Sequence, residues 1–154
     1  MAGNHFTIEQ ANKNHIDMIS KFQIKMALET EGMKLDKETV VQGVTKIFDD
    51  PDRGFYVIVY DDANHVIGSM LVLKEWSDWR NADVWWLHSV YIVPSCRGQG
   101  VFSLMFKHIE ALGRHNRVKG LRLYVDKRNE HAQQVYQKIG MTNKHYEMYE
   151  KMFE

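Results

Sequence analysis

One cysteine, two prolines and no net charge set the first limits on this chain of 154 residues. Cys96 has no intrachain partner, so the fold cannot lean on a disulfide framework. Scarce proline, with no Ser/Gly-rich or low-complexity stretch and no internal repeat, leaves no linker at which to divide the chain. Two separate cores would each fall near the marginal end of domain size, so one domain over residues 1–154 is expected. Twenty Lys and Arg balance twenty Asp and Glu. No overall field therefore recruits phosphate backbones or anionic membranes, and a nucleic-acid partner is disfavoured. No apolar run approaches a membrane span, and the opening MAGNHFTIEQ lacks the apolar h-region of a secretory signal. The expectation is a cytoplasmic protein without a membrane partner. Eight histidines are present, yet neither HExxH nor clustered ligand spacing occurs, so no metal is expected. A P-loop GxxxxGK[ST] is missing, and a dinucleotide fingerprint would need glycine where Ser103 stands.

What is present is an ordinary soluble composition, 44% apolar and 26% charged, arranged in alternating periods. His5 to Glu9 reads as a short strand. Ile16, Ile19, Phe22 and Met26 recur at helical spacing, and Asp36 is a good N-cap for a second helix bearing Val40, Val44, Ile47 and Phe48, stopped at Asp49-Asp50-Pro51-Asp52. Phe55 to Tyr60, the turn Asp61 to Asn64 and the run His65 to Leu73 predict a hairpin. The polar stretch Glu75 to Asp83 reads as a loop, and Val84 to Val93 as a dense central strand ended by Pro94. A third helix starts at Val101, Leu121 to Val125 is a strand, and Asn129 caps a fourth helix with Gly140 at C′. Lys144 to Met152 is expected to close the sheet. The order is βααβββαβαβ, an α/β fold with a mixed sheet and helices on its faces.

The chemistry concentrates where the strand Val90-Tyr91-Ile92-Val93-Pro94 runs through Ser95-Cys96-Arg97-Gly98-Gln99-Gly100 into the helix at Val101-Phe102. The first turn of a helix carries N–H groups without intrahelical partners at the positive end of its dipole, so main chain alone can hold a diphosphate. Glycines at 98 and 100 keep side chains clear, and Arg97 can add charge. A helix start with a flexible cap is the plainer alternative.

This stretch resembles the GNAT superfamily of acyl-CoA-dependent N-acetyltransferases. Its signature Q/R-x-x-G-x-G/A follows a strand of the form L-x-V-x-P, matched by Arg97-Gly98-Gln99-Gly100 after Val90 to Pro94, with Phe102 in place of the final small residue. A second pattern, N-x-x-A-x-x-x-Y-x-K-x-G-F, is matched by Asn129, Ala132, Tyr136, Lys138 and Gly140, with Met141 for the Phe. The resemblance implies a mostly antiparallel twisted sheet with a splayed strand pair. It also implies acetyl-CoA as co-substrate, contacted by Tyr91, Ile92, Val93, Arg97, Gly98, Gln99, Gly100, Val101, Phe102, Asn129 and Tyr136. An amine attacks the thioester directly, a backbone N–H near Ile92 stabilises the oxyanion, and Tyr136 protonates the departing thiolate. Outside the resemblance, Tyr136 reads first as a core aromatic on the apolar stripe of its helix.

The free amine is the nucleophile, so a base must take the ammonium proton. His88 is the candidate: it titrates near neutrality, and strict alternation puts it on the face of Val90 and Ile92. A glutamate holds the matching place in polyamine acetyltransferases of the family. Glu75 and Asp78 are alternates, as bases or as anchors for a cationic acceptor. Tryptophans 76, 79, 85 and 86 surround the expected acceptor entrance, Trp79 and Trp86 being the ones assigned to substrate binding, although one of Trp85 and Trp86 should fill a core. Cys96 beside Arg97 reads as incidental, because direct transfer needs no thiol nucleophile. The expected acceptor is a small-molecule amine. A protein N-terminus or lysine, and a regulatory module that binds acyl-CoA without turnover, remain open, and exposed strand edges would suit a homodimer.

Overall fold

Residues 5–153 are described by a computed structural model, and the chain divides between Arg122 and Leu123 into two compact units. The first contains β1 (Thr7–Gln10), α1 (Ile16–Glu31), α2 (Lys37–Asp49), β2 (Gly54–Tyr60), β3 (Val66–Ser77), β4 (Ala82–Ile92), α3 (Val101–His115) and β5 (Leu121–Arg122). The second contains α4 (Glu130–Lys138). The sheet is open, in the order β1-β2-β3-β4-β5, with antiparallel pairing until β4 meets β5 in parallel. A parallel neighbour needs a crossover, which α3 supplies.

Local chemistry explains the element ends. Asp36 accepts the Thr39 N–H at 2.9 Å and its hydroxyl at 2.7 Å, capping α2. Gly32, at φ +63°, closes α1 with its N–H on the Leu28 carbonyl. The apolar stripes of α1 and α2 bring Ile19, Val44 and Ile47 onto Tyr56 and Ile58 of β2, with Phe48 stacked 6.0 Å from Tyr56. Alternation turns Phe55, Val57 and Val59 to the opposite face, where Phe55 meets Trp85 edge-on at 5.3 Å. A methyl group at Gly113 of α3 would touch Trp85 at 3.7 Å, so α3 covers this second face. Tyr56 to Val59 are buried without interruption because both faces of β2 are covered. Each fully buried aliphatic side chain here contributes about 1.5–3 kcal/mol of transfer free energy.

The structure departs from the sequence expectations at four places. The stretch 75–83 is a hairpin rather than a loop: β3 runs to Ser77, β4 begins at Ala82, and Trp76 pairs with Asp83. Its tip is solvated on both faces, which removes the alternation that marks a half-buried strand. Leu121 to Val125 shortens to Leu121–Arg122. The segment 144–152 forms no strand, and Tyr146, Met148, Tyr149 and Met152 are exposed. Period-two alternation there mixes charged and apolar side chains on each face, so neither is apolar enough to reward pairing.

The fourth departure is a bulge in β4. His88 pairs with Leu71 and Tyr91 with Ser69, so Ser89 and Val90 together oppose Met70. Ser89 takes the left-handed conformation at φ +53°, as expected for the first residue of this kind of bulge. One extra residue reverses the alternation. His88 therefore shares its face with Tyr91, and Ile92, opposite Gly68, lies on the other.

Candidate functional site

The turn after β4 is built by its residues in order. Pro94 has no N–H to continue the ladder and opens a single 3₁₀ turn, Pro94–Cys96. The Cys96 N–H reaches the Val93 carbonyl at 2.9 Å, and the Gln99 amide donates to the Ser95 carbonyl at 3.1 Å. Gly98 (φ +74°) and Gly100 (φ +77°) then take left-handed conformations, and Gly100 is the N-cap of α3. Among the described residues, no side chain caps this helix start. The Leu104 N–H is on the Gly100 carbonyl at 3.1 Å, so the α-helical ladder closes only there. A Cβ at either glycine would meet none of the described residues within 4 Å, so among them the turn faces open space. Val101, Met105 and Ile109 are buried and fix the helix from beneath, while Phe102 lies 6.3 Å from Phe106. Main-chain donors, a positive dipole end and an empty approach together suit a multiply charged anion such as a diphosphate.

Arg97 behaves differently from a free cation in that turn. Its Nε donates to the Ile92 carbonyl at 2.7 Å, its guanidinium pairs with Glu29 of α1 at 2.8 Å, and it lies 5.5 Å over the Tyr91 ring. The guanidinium ties the end of β4 to α1. Tyr91 is itself buried and stacked 4.9 Å from Phe22. Burial and the Glu29 carboxylate push its phenol up, with Arg97 opposing. The Val93 N–H is bonded to the Ile67 carbonyl at 2.8 Å. By strand alternation the Ile92 N–H turns away from β3, toward the side on which β5 lies.

Further back along β4, on the α1 and α2 face, are Trp86 and His88, both half-buried. Their rings stack at 6.0 Å and 16°. The Trp86 indole N–H donates to Glu75 Oε2 of β3 at 2.9 Å, and the same oxygen accepts from Arg122 of β5 at 3.2 Å. Burial lowers the His88 pKa from its ordinary value, which favours the neutral imidazole. Glu75, Trp86 and His88 are thus brought together. Asp78 and Trp79 are not part of this group. They sit at the hairpin tip, Trp79 is 87% exposed, and the Asp78 carboxylate accepts the Trp79 N–H at 2.8 Å. At about 3.3 Å per residue of strand, the tip is on the order of 20 Å from Leu71, the partner of His88. Trp85 points to the opposite face and Trp76 is exposed.

In the second unit, Asn129 accepts the Ala132 N–H at 3.1 Å and caps α4 as its type predicts. Gly140, at φ +93°, follows the C-cap Ile139. Asp126 and Arg128 pair through the carboxylate and guanidinium, which holds the Asp126 carboxyl far below its usual range. Tyr136 is half-buried on α4, and burial pushes its phenol up. Arg122 and the Ser89 bulge are the features that sequence reasoning missed. The only trace of the former is a lone cation between the leucines of LRL.

The family model described as acetyltransferase (GNAT) matches residues 19–141. Among solved structures, a possible acetyltransferase from Clostridium difficile 630 is 33% identical, covers 96% of this chain and 97% of its own, and superposes with a TM-score of 0.88. The aminoglycoside N-acetyltransferase AAC(6')-Iy in complex with CoA is 18% identical with a TM-score of 0.77, over 98% of this chain and 97% of that one. A predicted acetyltransferase from Clostridium acetobutylicum, solved with acetyl-CoA, is 16% identical with a TM-score of 0.73, over 94% and 96%. The last two likenesses concern the fold. No functionally curated protein matches the chain at a significant level.

Proposed function

Because this chain belongs to the acetyltransferase (GNAT) family, we propose that it is an N-acetyltransferase moving an acetyl group from acetyl-CoA to a primary amine of a small molecule. The observation that carries this reading is the turn at Gly98 and Gly100, two left-handed glycines opening an α-helix with, among the described residues, no side-chain cap and no neighbour within 4 Å of either Cβ position. It is an anion cradle of the kind a pyrophosphate needs. Structural neighbours solved with CoA and acetyl-CoA support the choice of co-substrate. The aminoglycoside enzyme among them supports a small-molecule acceptor. The family match crosses the boundary between the two units, which supports reading residues 1–154 as one acetyltransferase domain.

In this reading the backbone N–H groups at Gly98 to Ser103 hold the diphosphate, and Arg97 serves by bracing the turn against Ile92 and Glu29. When bound, acetyl-CoA supplies an activated thioester. His88, whose burial favours the neutral ring, takes the proton of the acceptor ammonium. The Ile92 N–H is oriented by the strand before any charge develops, as a main-chain oxyanion donor must be. Tyr136, whose phenol is pushed up, stays protonated at neutral pH and acts as proton donor to the leaving group. Asn129 fixes the start of the helix that carries it. None of these roles calls for a metal.

Calorimetric titration with acetyl-CoA tests the proposal. Gly100→Asp places a carboxylate at the cradle, and Asp is among the residues that tolerate the left-handed region. The variant is expected to fold and to lose measurable binding. A folded Gly100→Asp protein with native affinity would falsify the cofactor site. A thiol-release assay with neamine, spermidine and a lysine peptide as acceptors then tests the substrate class, turnover of the peptide alone being the result against a small-molecule amine.

A further inference from the structure

We propose that Glu75 is a positioning residue, whose carboxylate holds the Trp86 indole and thereby fixes the ring against which the His88 imidazole lies. The inference rests on the reading of His88 as the base. Three strands meet in this contact: Glu75 belongs to β3, Trp86 to β4 and Arg122 to β5. Trp86 and Arg122 are register partners in the parallel ladder, and Arg122 reaches past Trp86 to Glu75. One oxygen, Oε2, accepts both the indole N–H at 2.9 Å and the guanidinium at 3.2 Å.

The ion pair is partly solvated, with the Glu75 side chain 50% and that of Arg122 33% exposed, so it adds little stability. Its directional consequence is larger. An indole has a single N–H, and fixing that bond fixes the rotation of the whole ring. His88 lies two residues along the same strand face, parallel to that ring at 16°, so the orientation set at Glu75 passes to the imidazole. A carboxylate occupied in this way is a support for the base rather than a second base.

NMR of the labelled protein at about pH 8, where an ordinary imidazole is neutral, tests the inference without an acceptor. In Glu75→Ala the Trp86 indole N–H signal is expected to move upfield with loss of its acceptor. The His88 ring protons should move downfield as the shielding of the stacked indole is lost. Glu75→Gln, which keeps an acceptor oxygen, should hold both near their native positions. Glu75→Met retains the stem and its packing without an acceptor, and gives the Ala result in case the shorter side chain unfolds the hairpin. His88 signals unmoved in Glu75→Ala or Glu75→Met overturn the positioning role and leave the base assignment standing. A His88→Ala enzyme with native turnover removes the base and leaves the ring geometry intact.

Discussion

His88 is a histidine whose surroundings select one protonation state. Burial depresses its pKa below the ordinary 6.5, because the charged form loses more hydration than the neutral one. At neutral pH it is therefore in the form a base requires. The sign of the pH dependence follows. As pH falls through the lowered value the ring becomes protonated and the acidic limb of kcat/KM appears, at a pH below 6.5. The same shift acts on stability: a depressed folded pKa contributes stability above the unfolded value, and that contribution is lost as pH falls through the folded one. His88→Ala is expected to lower kcat/KM by about 10²-fold and to abolish the acidic limb, as read from a pH–rate profile. Retention of that limb would transfer the role elsewhere. Tyr136 is shifted in the opposite sense for the same physical cause, and a phenol pushed up is a competent donor rather than a phenolate. Tyr136→Phe should reduce kcat by about 10²-fold while acetyl-CoA affinity stays near native. Steady-state kinetics beside calorimetry separates the two, and undiminished kcat would assign Tyr136 to packing alone.

At the scale of the element, β4 is the strand that carries the site, and its bulge decides which side chains share a face. A regular strand would have grouped His88 with Val90 and Ile92; the extra residue at Ser89 groups it with Tyr91 instead. Serine has no special claim to a left-handed conformation, so this position stores strain of about 1–3 kcal/mol. Ser89→Gly should leave stability unchanged or improved, whereas Ser89→Val, β-branched and poorly suited to positive φ, should cost about 1–2 kcal/mol. Denaturant unfolding measures both, and a neutral valine variant would mean that the strand can shed its bulge. The other elements were largely legible because each is announced within a few residues. Asp36 and Asn129 cap the helices that their types predict. Pro94 stops β4, and glycine pairs mark the turn. The hairpin at 75–83 and the segment at 144–152 were not legible, since strand formation depends on a partner that local sequence does not name.

At the scale of the whole molecule, covering both faces of the sheet in the first unit accounts for the buried run at Tyr56 to Val59 and for the half-buried setting of the site. Helices α1 and α2 cover one face around Tyr56 and Ile58, and Phe22 of α1 covers Tyr91. Trp86 and His88 on that same face stay half-exposed. The sequence by itself determined the four helices, most of the strands and the glycine turn, because periodicity, capping and turn chemistry act between near neighbours, and its two motifs carried the resemblance to the family. Only the tertiary structure decided that Arg97 would answer Glu29, 68 residues away, and that Arg122 would answer Glu75, 47 residues away. Those pairings, like the reversal of the β4 face, arise where distant strands and helices meet, and their geometry is set by register and packing rather than by residue type.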